Sequence, residues 1–241
     1  LLGQPAYALL GGAYRRQVRA YASHMFDFDP DDTIRRAGQA RDAGFTGVKF
    51  GWEPFGRDAD LDETFVRGIR KAVGDDVDIM VDAGLAWDAK TAVERCRQLE
   101  SYNLFWLEEP LHPDNLRGYR TLTSSVSTRI AAEGCIDVVQ IDVTRVGLTQ
   151  AIRIARLAQD RGLPCANHNF TTDINVAASL HFLCAVPNAL ALEYSMESSP
   201  LRTGVTRYPI QVVDGYCTVP EAPGLGIEID TDTVNKYLVR H

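Results

Sequence analysis

The chain has 241 residues, 45% of them hydrophobic, and a formal net charge of −7. That length and apolar content can bury one large core, within the range where a single α/β barrel forms one domain. The acids are spread along the chain, which excludes a basic face for nucleic acid or anionic membrane and leaves a small molecule as the expected partner.

No apolar run reaches the ~18 residues of a membrane-spanning helix. The start, Leu1-Leu2-Gly3-Gln4-Pro5, lacks the basic and apolar regions of an export signal. The five cysteines are odd in number and far apart, with no C-x-x-C pair. They indicate neither a disulfide framework nor a zinc site, and a reducing cytoplasm is expected.

Strands and helices then alternate. Residues 18–23 read as a strand, and Asp31 and Asp32 are placed to cap a helix carrying Ile34, Ala37 and Ala40 that stops at Gly44. Gly47–Gly51 is the second strand, followed by a helix with Phe65, Ile69, Ala72 and Val73 on one face and Gly74 as its C-cap. Asp78–Asp82 is the third strand, and Asp88 caps a helix with Ala89, Ala92, Val93, Cys96 and Leu99 at helical spacing.

Residues 104–107 give strand four and residues 115–125 a helix. Residues 128–132 and 138–143 give strands five and six, followed by a helix carrying Ala151, Ile154, Ala155 and Ala158. Residues 163–167 and 190–194 supply strands seven and eight, around an apolar helix at 176–186. Eight parallel strands alternating with helices predict an α/β barrel.

One connection is short. Only five residues, Glu133 to Asp137, separate strands five and six, whereas a parallel crossover takes about ten or more and usually a helix. Either the two strands form a local antiparallel exception or the sequence omits a loop and helix here. The omission is favoured.

Charged residues stand where the apolar runs end: Asp82, Glu108, Asp142, and His168 between Asn167 and Asn169. In a parallel barrel this is the face where active sites are built. Two carboxylates with a His–Asp pair there point to metal-assisted proton abstraction.

The strings Val81-Asp82-Ala83-Gly84, Trp106-Leu107-Glu108-Glu109-Pro110, Arg129-Ile130-Ala131-Ala132, Val139-Gln140-Ile141-Asp142 and Asn167-His168-Asn169-Phe170 resemble the enolase superfamily. Within it they look most like the mandelate racemase and muconate lactonizing enzyme branch, especially its acid-sugar dehydratases. The resemblance implies a TIM-type parallel barrel of modified (β/α)7β form over residues 14–200. It further implies that residues 1–13 are a linker from an N-terminal α+β capping domain that the sequence lacks, and that residues 201–241 pack on barrel or cap.

In that family, acids ending strands three, four and five hold one Mg²⁺, which carries over to Asp82 and Glu108. Glu133 is the candidate third ligand, although the family's Gly-Glu motif is missing after Ala132 and the true ligand is expected in the omitted segment. The family's strand-seven histidine base and strand-six aspartate map onto His168 and Asp142. Such sites use a Lys or His base with Mg²⁺. Mg²⁺ favours hard oxygen ligands and keeps positions for water or substrate.

A proton next to a carboxylate is a weak acid, so the charge formed on its removal needs stabilisation. His168 would take it, then hand it to a departing β-hydroxyl, giving a 2-keto-3-deoxy acid. Racemases and cycloisomerases of the branch usually carry Lys-x-Lys on strand two, whereas this chain has Lys49-Phe50-Gly51. Losing a base on the second face favours one-base elimination. Lys49 and Glu193 are then expected near the substrate carboxylate.

Blander readings stand beside these. Lys49 could extend to a barrel rim, lone acids such as Asp82 and Glu108 could cap strand ends, and Trp52, Trp87 and Trp106 could be packing or pocket walls. Two other functions remain in view: racemisation, epimerisation or cycloisomerisation on the same site, and a non-catalytic acid-binding or assembly barrel. A homo-oligomer is expected from the resemblance.

Overall fold

The computed structural model describes residues 2–132 and 137–238. Glu133, the candidate third ligand, lies outside the described residues. The elements begin with α1 (Ala6–Leu9), β1 (Gln17–Met25), α2 (Pro30–Asp42), β2 (Gly47–Gly51), α3 (Ala59–Val73) and β3 (Asp78–Asp82). They continue with α4 (Ala89–Leu99), β4 (Leu104–Glu108), α5 (Leu116–Thr123), β5 (Ile130–Ala132), β6 (Val138–Ile141) and α6 (Val143–Gln159). The remainder are β7 (Cys165–Asn167), α7 (Asp173–Cys184), β8 (Ala189–Ser195), α8 (Pro200–Thr203), β9 (Tyr216–Thr218) and α9 (Thr231–Tyr237).

The hydrogen-bonded order β2-β3-β4-β5-β6-β7-β8-β1 returns on itself through a β1–β2 pairing. This is the strand order of a TIM-type α/β barrel. β9 adds antiparallel to the first residues of β1. Among the described residues, no helix is long and apolar enough to cross a membrane.

β5 and β6 pair in parallel, Ala131 with Val138 and Ala132 with Val139. The antiparallel alternative therefore does not occur. Asp137 secures the junction, its N–H donating to Ile130 O at 3.1 Å and its carboxylate accepting the Ile130 N–H at 2.9 Å.

The chain forms two compact units, residues 21–139 and residues 1–20 with 140–241. In the first, α2 and α3 cover an aromatic cluster in which Phe26 stacks on Phe55 at 5.0 Å and meets Phe65 at 4.8 Å. The cap of α2 is Asp29 rather than Asp31 or Asp32, because Pro30 takes the first helical position and leaves those two acids in the first turn. Gly74 ends α3 at φ 79°, a backbone state that favours glycine. Arg70 binds the carbonyls of Gly74, Val77, Tyr102 and Asn103, tying the α3–β3 loop to the turn before β4.

In the second unit α7 is buried almost all round. Its His181 accepts the Tyr7 N–H at 3.2 Å and stacks on the Tyr7 ring, so it is structural. Ile152 rather than Ile154 joins the buried face of α6. Gly147, at φ 73° and ψ 158°, breaks that helix in its first turns.

Asp62 of α3 is fully buried; it accepts the Gly56 N–H at 2.8 Å, and Arg95 Nε lies 3.5 Å away. Burial outweighs both contacts and pushes its carboxyl up to about 6. The folded chain then holds this proton more tightly than the unfolded chain, so stability falls as pH rises from about 4 to about 6. Asp62→Asn keeps the acceptor and removes the titration. Relative to wild type it should gain about 1–2 kcal/mol across that window in urea denaturation, solvent screening allowed for; parallel pH profiles would contradict this.

Candidate active site

Three of the expected site residues meet in the first unit. Lys49, Asp82 and Glu108 come from β2, β3 and β4, and strand register places Gly51 beside Asp82 and Asp82 beside Glu108. All three side chains are buried. Lys49 Nζ donates to Glu108 Oε1 at 2.8 Å, and Trp106 Nε1–H donates to the other oxygen at 3.1 Å. Lys49 is therefore a buried ion partner and does not reach to a rim. Asp82 Oδ1 accepts the Gly84 N–H at 2.8 Å.

Burial, then the charge of Glu108, drives the Asp82 carboxyl well above the usual carboxylate range, and Lys49 only partly offsets this. Two buried carboxylates thus share one ammonium. Gly51 is part of the fit: a Cβ there would stand 3.0 Å from Asp82 Cβ and 3.2 Å from its Oδ2. A side chain at that position would require Asp82 to give by a few tenths of an ångström.

The second unit holds the other expected residues. Asp142 caps α6 by accepting from Thr144 N at 2.8 Å and Thr144 Oγ1 at 2.6 Å, and its second oxygen lies 3.0 Å from His168 Nδ1. Burial alone would raise Asp142, but the Thr144 and His168 hydrogen bonds outweigh it and hold the carboxyl below its ordinary value. The ring is one-third exposed. An Nδ1–H donated to Asp142 leaves Nε2 as the basic nitrogen.

Glu193 is fully buried, and its Oε2 accepts the Asn169 N–H at 2.6 Å. Asn167 Oδ1 in turn accepts the Glu193 N–H at 2.7 Å. Glu193 thus bolts down both neighbours of His168. That link escaped the sequence reading, although an Asn on each side of the histidine was a visible signal.

Two buried carboxylates with excess negative charge suit a hard divalent cation, since Mg²⁺ is often bound through one or two carboxylates. Among the described residues no three of His, Cys, Asp and Glu come together as a metal-binding group. The four described cysteines, Cys96, Cys165, Cys184 and Cys217, are free and buried.

Residues 32–233 match the enolase C-terminal domain-like family. The chain is 29% identical to D-xylonate dehydratase of Haloferax volcanii, over 99% of this chain and 66% of that protein. It is 29% identical to D-gluconate dehydratase of Thermoproteus tenax, over 98% of this chain and 52% of that protein. It therefore spans less than two thirds of either curated relative.

The 3,6-anhydro-D-galactonate cycloisomerase of Zobellia galactanivorans superposes with a TM-score of 0.92 at 28% identity, covering 99% of this chain and 71% of that one. The D-xylonate dehydratase match runs over 271 residues, 30 more than the 241 in this chain.

The shared ammonium makes a direct prediction. With metal removed by chelation, Lys49→Met leaves two buried carboxylates without their cation and should lose about 3 kcal/mol in urea denaturation. Added Mg²⁺ should restore more stability to this variant than to wild type. An unchanged midpoint in chelator would contradict the pairing.

Proposed function

The chain belongs to the enolase C-terminal domain-like family, and from that premise we propose that it is the catalytic part of a Mg²⁺-dependent acid-sugar dehydratase. The observation that carries this reading is the Asp142–His168 pair at 3.0 Å, together with the absence of a side chain at Gly51. Asp82 and Glu108 would hold the metal. When bound, Mg²⁺ supplies positive charge that makes the proton α to a substrate carboxylate easier to remove.

The remaining steps belong to side chains. Asp142 accepts from Nδ1 of His168, fixing the tautomer whose Nε2 takes the α-proton, and then stabilises the imidazolium. The imidazolium gives that proton to the β-hydroxyl, which leaves as water, and the enol tautomerises to a 2-keto-3-deoxy acid. Glu193 fixes the backbone on which His168 stands, and Lys49 balances the charge of Glu108. The reading takes a small acid sugar as partner, without nucleic acid or membrane, in a homo-oligomer of the reducing cytoplasm.

Cycloisomerisation is the second reading, supported by the structural neighbour of that activity. Racemisation is disfavoured because it needs a base on each face of the intermediate, and Gly51 supplies none.

Full-length protein with Mg²⁺ should convert an aldonic or aldaric acid to a 2-keto-3-deoxy acid. His168→Ala should lower kcat about a thousandfold while calorimetric Mg²⁺ binding stays unchanged, and Asp82→Asn should weaken that binding. Failure of every acid tried, or full activity in His168→Ala, would remove the dehydratase.

A further inference from the structure

Next to Asp82 lies a cavity of about 730 Å³ that none of the assigned residues explains. Its walls are the loop after β2, with Trp52, Glu53, Phe55 and Arg57, and the loop after β3, with Gly84. Both loops are tied to Asp82: Trp52 N–H donates to its backbone carbonyl at 3.0 Å and Gly84 N–H to its carboxylate Oδ1 at 2.8 Å. The volume falls in the range of small-molecule sites, about 300–1,000 Å³.

The walls are built to fit. Gly56 stands at φ 95°, its N–H held by Asp62 and its carbonyl by Trp87 Nε1 at 2.8 Å, and a Cβ there would meet Ala86 at 2.7 Å. Gly84, at φ 57°, lies under the Trp52 ring, where a Cβ would make contact at 3.7 Å. The loop is thus fixed by buried Asp62 and Trp87. The Glu53–Arg57 ion pair is exposed on both sides and adds little to stability.

The geometry points to this cavity as the subsite for the tail of the acid sugar, selecting an uncharged polyol end over a second carboxylate. This inference rests on the dehydratase reading. Trp52 is more than half exposed and presents an indole face on which the C–H side of a sugar chain can lie. Glu53 accepts and Arg57 donates hydrogen bonds, a complementary pair for hydroxyl groups that do both.

A second carboxylate fares worse. Arg57 is already neutralised by Glu53, so the anion meets a carboxylate as well as a guanidinium. Substrates of the aldonate class, with one carboxylate and a hydroxymethyl end, should be preferred to aldarates of the same configuration.

Glu53→Gln frees Arg57 without changing shape. The test measures calorimetric binding and turnover of gluconate against glucarate, and of galactonate against galactarate, by the full-length protein with Mg²⁺. Wild type should prefer the aldonate in the better-bound pair, and Glu53→Gln should move the ratio toward the aldarate on the order of tenfold. Trp52→Ala should weaken both acids while Mg²⁺ binding is retained.

A wild-type preference for aldarates, or a ratio unmoved by Glu53→Gln, overturns the subsite and leaves the dehydratase standing. Mg²⁺ uptake with no binding of any of the four acids also overturns the subsite. Loss of Mg²⁺ uptake itself brings down the dehydratase, and the subsite with it.

Discussion

Two buried carboxylates share one ammonium, and the local structure around them follows from that imbalance. Asp82 and Glu108 are aligned by the β3–β4 register, with Lys49 2.8 Å from Glu108. In a medium of low polarity such an arrangement keeps a proton on one acid or takes up a cation. Gly51 leaves space for Asp82, Trp106 satisfies the second Glu108 oxygen, and the Gly84 N–H holds the Asp82 oxygen. Each neighbour positions an acid without neutralising it.

Asp142 shows the opposite outcome of the same physics. It is also buried at a strand end, yet Thr144 and His168 hold its carboxyl down while burial and Glu108 drive Asp82 up. Carboxylates pushed apart in this way suit different tasks. One environment calls for a cation, and the other keeps a permanent anion that orients an imidazole. The side chain that caps α6 is thus also the partner of the His168 ring.

Much of this was legible in the sequence because strands and acids share boundaries. β2 and β3 lie where their apolar runs end, and the Asp82, Glu108, Asp142 and His168 positions follow from those ends. What stayed hidden depends on detail beyond periodicity. Pro30 moves the α2 cap to Asp29, and Ile152 joins Ala151, Ala155 and Ala158 on the buried face of α6. Glu193, expected near a substrate carboxylate, also accepts the Asn169 N–H, a backbone link that no periodicity reveals. The cavity beside Asp82 was illegible because it needs two loops, more than twenty-five positions apart at Trp52 and Gly84, brought together. Trp52 could be named in advance only as packing or wall, and it is wall.

In the proposed dehydratase, Asp82 and Glu108 make an α-proton removable and His168 removes it. The most direct measurement follows that hydrogen in D₂O with Mg²⁺ and full-length protein. An acid sugar lacking the 3-hydroxyl can lose its α-proton but cannot eliminate water. Deuterium should enter at C2 with wild type and not with His168→Ala. No exchange by wild type with Mg²⁺ bound, or equal exchange by the variant, would contradict the account.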